Sequence, residues 1–185
     1  MAIANYTRVC AKNVPGNSRL FFTEKDNISS VTVTSGEVSA ITMGTGLTFH
    51  EFKSDQKSIR RKQTESNIQG NLVVTHQVEA KFKGLSVDLN DSRDELHDAL
   101  ACGLVVIVVD ANGVGWLIGW SDTQFGDEAL DTIEAEDDSG ISAADSEMGK
   151  YSLTIKGVSG YLDIPFDSTA SEELLDGSAT FCTFN

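Results

Sequence analysis

Over most of this chain the hydrophobic pattern repeats every two residues. Alternating or short continuous apolar runs occupy residues 19–23, 28–34, 38–43, 47–52, 72–82, 104–109 and 151–158. Alternation places successive side chains on opposite faces of a strand, so each run predicts β structure. The first four, punctuated by Gly36 and by Gly44-Thr45-Gly46, read as a meander, with Ile28, Val31 and Val33 as inward candidates in the second. In the longest run Leu72, Val74, His76, Val78, Ala80 and Phe82 share one face, and Val73, Thr75, Gln77, Glu79 and Lys81 the other. The polar stretch 58–66 is expected to pair with it across a turn at 67–71. That gives a long hairpin whose first strand has little apolar surface.

Residues 104–120, LVVIVVDANGVGWLIGW, read as a second hairpin with a two-residue turn at Asn112-Gly113. The run 104–109 is apolar at every position, so it needs cover on both faces. A helix of about residues 91–102 precedes it. Asn90 or Asp91 caps its start, Asp94 and Glu95 sit near its positive end, Leu89, Leu96 and Leu100 form its apolar stripe, and Gly103 stops it. Residues 121–149 hold ten carboxylates with no lysine or arginine and read as an acidic loop. The expected fold is mainly β: an antiparallel β-sandwich or barrel with one short flanking helix, a long hairpin and extended terminal arms. Its parts are an N-terminal arm at 1–17, a sandwich at 18–166 and a C-terminal arm at 167–185.

A length of 185 residues suits one domain with a real core. The formal net charge of -14 changes the picture more, because so acidic a chain repels phosphates and anionic lipid. Sequence-specific DNA binding is therefore not expected. Cys10, Cys102 and Cys182 are odd in number and in no CxxC spacing, which points to a reducing compartment and to neither a disulfide framework nor a zinc site. No signal-type apolar segment opens the chain and no run of eighteen apolar residues occurs, so no membrane association is expected.

Motifs for chemistry fail on inspection. The stretch from Asp88 resembles a calcium loop until Arg93 and Ala99 occupy the positions that need glycine and a bidentate glutamate. His50, His76 and His97 are scattered and read as partnered structural histidines. There is no GxSxG elbow, phosphate loop or GxGxxG. Trp116 and Trp120, read as sharing a strand face, suit either a core or, with Tyr151, a sugar-stacking platform. A hydrolase using clustered carboxylates such as Asp137 and Asp138 is a more distant alternative. No catalytic, metal or cofactor residue is assigned.

Two features exceed what a plain domain needs. Lys57, Arg60, Arg61 and Lys62 form a basic patch in an acidic chain, a candidate surface for an acidic partner or a second copy. Phe181 and Phe184 lie near the C-terminus and are candidate anchors on a neighbouring subunit, the alternative being a tail folded back on its own core.

The order of elements and the phrases SRLFFTEKDNISSVTVTSGEVSAIT, FHEFKSDQKSIRRKQTESNIQGNLVVTHQVEAKF, GLVVIVVDANGVGWLIGW and GKYSLTIKGVSGYLDIPF resemble the tube-type tail proteins of long-tailed bacteriophages. The likeness is nearest to those of phages and prophages of Bacteroidetes bacteria, and it covers about residues 18–166. It implies a virion structural protein, assembled in the bacterial host cytoplasm, whose hexameric rings stack into a DNA-conducting tail tube. The segment 57–82 would be the inter-subunit hairpin and 92–101 the flanking helix. Other virion tail proteins would be partners, and genome DNA would pass without specific binding. On this reading some of the acidic surplus, with Asp137 and Asp138 as candidates, faces the lumen. The acidic segment 121–149 and the tail 167–185 depart from the likeness and leave a head-to-tail connector or ring protein as the alternative.

Overall fold

The computed structural model describes residues 17–52, 58–83, 95–100, 102–121, 129–138 and 150–184. The strands are β1 (Asn17–Glu24), β2 (Ile28–Thr34), β3 (Glu37–Met43), β4 (Phe49–Glu51), β5 (Arg60–Ile68), β6 (Asn71–Lys83), β7 (Leu104–Asp110), β8 (Gly115–Ile118), β9 (Thr132–Asp138), β10 (Lys150–Ser159), β11 (Ile164–Pro165) and β12 (Cys182–Thr183). Helical residues 95–100 form α1, and Ser168–Asp176 form α2. The protein is mainly β, as its alternating pattern requires.

One sheet runs β11-β8-β7-β1-β4-β12, a second β5-β6-β10-β9, and β2-β3 form a two-stranded ribbon. The inner faces of the two larger sheets enclose one core. Leu20, Phe22, Val106, Val108 and Ile118 meet Val78, Ala80, Phe82, Leu153 and Ile155, and Leu96 of α1 packs against the same cluster. The opposite face of the six-stranded sheet, with Phe21, Val105, Ile107, Val109 and Leu117, is covered by the β2–β3 ribbon, α2 and Phe181. Strand β7 is thus buried on both faces, which accounts for its unbroken apolar run.

Four expectations are revised. Residues 19–52 are not a meander: β1 pairs with β7 and β4, while β2 and β3 pair with each other. Val33 is exposed, although its cross-strand partner Val38 is buried. The β7–β8 turn is not a two-residue one. Gly113 N–H bonds the Asp110 carbonyl at 3.1 Å, Asp110 N–H bonds the Val114 carbonyl at 2.9 Å, and only Gly113 has positive φ (+88°), a three-residue turn with a glycine bulge. The Asp110 carboxylate fixes it by accepting from Asn112 N–H at 2.8 Å and Val114 N–H at 3.0 Å. Segment 121–149 is not loop throughout, since β9 lies within it and pairs with β10.

A fifth revision concerns the C-terminal arm. Residues 167–184 fold onto the domain: the Asp167 carboxylate accepts from Ala170 N–H at 2.8 Å to start α2, and Gly177 in the left-handed region ends it. Strand β12 then pairs parallel with β4. Phe181 is buried between Phe49 and Phe166, and the Phe184 ring meets Phe21 edge-on at 5.5 Å beneath Arg19. These two aromatics therefore complete the chain's own core. The N-terminal arm at 1–16 and helix residues 91–94 lie outside the described residues.

Candidate functional site: sheet edges and a buried polar network

The long hairpin forms as expected, with a tighter turn. Ile68 pairs with Asn71 across Gln69 (φ +55°) and Gly70 (φ +89°), and the Asn67 carboxamide oxygen accepts from Gly70 N–H at 2.9 Å. Alternation on β6 is as read, with Val74, His76, Val78, Ala80 and Phe82 all buried. Cross-strand partners share a face, so Arg60, Lys62 and Thr64 lie with Glu79, Gln77 and Thr75 on the outer face. Arg61 and Gln63 share the inward face with Val78 and His76.

The basic patch is therefore divided. Arg60 and Lys62 are exposed on strand β5, which has one strand neighbour among the described residues, while Arg61 turns in. Its guanidinium donates to Asp163 Oδ2 at 2.7 Å and lies 3.8 Å above the Trp116 ring. Lys57 lies outside the described residues. At the far edge of the same sheet β9 also has one neighbour among the described residues, and its sequence contains Glu134, Glu136, Asp137 and Asp138. Register puts Asp137 opposite Tyr151 and Asp138 opposite Lys150; their side chains lie outside the described residues.

Arg61 belongs to a network that motif searching missed. His76 Nδ1 lies 2.6 Å from Asp163 Oδ1 and Nε2 lies 2.7 Å from Ser159 Oγ, with the Asp163 side chain 1 % exposed. Asp163 N–H donates to Gln63 Oε1 at 3.2 Å, and Trp116 Nε1 donates to Asp110 Oδ2 at 3.4 Å. The connectivity is that of a Ser-His-Asp triad. Yet Ser159 Oγ is engaged by the Tyr161 main chain, at 2.9 Å from its oxygen and 3.1 Å from its nitrogen, and Arg61 shares the aspartate. Ser159 is buried and does not line the nearby groove. The arrangement fixes β5, β6, β8 and the turn 159–163 to one another. The signals for it were an aspartate inside the apolar stretch YLDIPF and a histidine on an apolar strand face.

Beside the turn lies a groove of about 340 Å³ lined by Val33, Leu72, Trp120, Tyr161, Leu162 and Ile164 among others, with no charged side chain among the described residues of its lining. Val33, Leu72, Tyr161 and Leu162 are exposed. The two tryptophans do not form a platform. Trp116 shares a sheet face with its partner Val108 in the inter-sheet core. Trp120, past the turn at Gly119 (φ +79°), packs against the opposite core, and its buried Nε1 finds no hydrogen-bond partner among the described residues. Among the described residues no group of three or more histidine, cysteine or acidic side chains could hold a metal ion, and no helix is long and apolar enough to cross a membrane. No family model, characterised protein or solved structure matches the chain.

Proposed function

We propose that the chain is a self-assembling virion subunit, most simply a phage tail tube protein whose copies join side by side through the edges of the β5-β6-β10-β9 sheet. The observation that carries this reading is the pair of edges on one sheet, basic at β5 and acidic at β9, that no other described strand covers. An unpaired edge strand offers a row of free amides and carbonyls to another chain. Two different edges of opposite charge favour head-to-tail contact, which closes into a ring when the rotation between copies is right.

Closure decides which face looks inward. The six-stranded sheet, the ribbon and α2 are stacked on the core side of the four-stranded sheet and need the roomier outside of a ring. The polar outer face of the four-stranded sheet then becomes the lumen wall. Arg60, Lys62, Lys81 and Lys156 accompany Glu79 there, and in the strand register Glu134, Glu136 and Asp138 pair with Thr154, Ser152 and Lys150. A wall of mixed charge would let a duplex pass without releasing enough counterions to hold it.

Electron microscopy of the purified protein at low salt tests the reading. Rings or tubes of uniform diameter are expected; a monodisperse monomer at every concentration and salt tried would refute it. Single rings that never stack would favour the connector alternative.

A further inference from the structure

Ser159 has one hydroxyl proton and two acceptors within reach of it. Its Oγ lies 2.7 Å from His76 Nε2 and 2.9 Å from the Tyr161 carbonyl oxygen, while Tyr161 N–H donates to it at 3.1 Å. When the imidazole is neutral with its proton on Nδ1, directed at Asp163, Nε2 is an acceptor and takes the Ser159 proton. The Tyr161 carbonyl then receives nothing from Ser159. When both ring nitrogens carry protons, Nε2 donates to Oγ and the hydroxyl turns to the Tyr161 carbonyl. The same heavy-atom positions serve both arrangements.

We propose that His76 is a proton-operated latch on the turn 159–163: the charged ring ties the Tyr161 carbonyl down through Ser159, and the neutral ring releases it. The turn carries Tyr161 and Leu162, which line the apolar groove with Val33 of β2 and Leu72 of β6. A proton taken up inside the protein thereby sets the wall of an exposed apolar surface, the kind of patch through which proteins meet partners.

The charged groups around the ring are few. The turn supplies Asp163, which attracts a charged imidazole, and β5 supplies Arg61 on the same carboxylate, which repels it. Glu65, also at an inward register position of β5, is exposed and accepts from Gln63 Nε2 at 3.2 Å. Strand β8 brings Trp116, which lies under Arg61 and bonds Asp110. On β10 the cross-strand partner of His76 is Gly157, and the neighbouring inward positions of β6 are Val74 and Val78. Imidazole side chains in general change charge between about pH 5 and 8, which sets the range to scan.

NMR of the intact protein, in solution or by magic-angle spinning if it assembles, reads both ends of the device. The His76 ring nitrogens report its proton, and the Leu162 amide nitrogen reports hydrogen bonding at the adjoining Tyr161 carbonyl. The two are expected to shift with one midpoint, and S159A should keep the ring titration while losing the Leu162 response. H76Q, which fills the same space without titrating, should flatten Leu162 as well. A Leu162 signal that stays flat in the parent, or one that keeps its midpoint in either variant, overturns the latch, as does a His76 ring whose charge does not change over this range.

Discussion

Arg60 and Arg61 are adjacent and alike in charge, yet the strand pleat sends one to solvent and the other over Trp116 to a buried carboxylate. Removing Arg61 leaves Asp163 short of a partner in the core, so R61A is expected to lose about 3–5 kcal/mol in urea unfolding, the range found when one member of a buried pair is deleted. R60A should change stability by less than about 0.5 kcal/mol, as surface substitutions usually do. Trp120 offers the opposite case. Its buried indole N–H finds no acceptor among the described residues, so W120F removes an unsatisfied polar group and should be neutral or stabilising. Burial pushes the Cys182 thiol well above the usual thiol range, with the Glu51 charge adding to the effect. Only the thiolate reacts, so Ellman's reagent at pH 8 should label exposed Cys102 in the folded protein and reach Cys182 only after denaturation.

At the scale of elements, what the sequence disclosed depended on how local the determining forces were. The β6 alternation, the doubly covered β7 and the β5–β6 hairpin follow from periodicity and turn residues alone. The partners of β1 do not, because any amphipathic strand can be written with the same pattern and only packing chooses among them. Strand β9 was hidden by its carboxylates, which suit an edge strand as well as a loop. The helix α2 was legible and overlooked: Asp167 before STASEELLD and Gly177 after it are start and stop signals. The His76 network lay beyond sequence reading, since its members come from strands far apart in the chain. Because α2 and β12 cover the outer core, F181A should lose about 3–5 kcal/mol in the monomer itself. A loss of assembly with monomer stability intact would return Phe181 to the role of intersubunit anchor.

For the molecule as a whole, the opposite charges of the β5 and β9 edges make assembly a salt-dependent event. Light scattering should show association weakening as salt rises from 50 mM toward 0.5 M, where screening falls to a few ångströms. The double variant R60E/K62E should remain folded and fail to assemble, since both side chains are exposed and neither enters the His76 network. If it assembles as well as the parent at low salt, the edge pairing is wrong.

Strand β7 also imposes a kinetic burden. Its six-residue stretch LVVIVV is uncharged and rich in β-branched residues, a composition suited to stacking with copies of itself. Its ladder partner β1 joins it through pairs as distant in the chain as Phe21 and Ile107, and such contacts form late. Until they form, the run is open to other chains, with Asp110 at its end as the nearest brake. Refolding from urea should therefore give a yield that falls with protein concentration, and replacing one central valine of the run by threonine should raise the yield while lowering the stability of what folds.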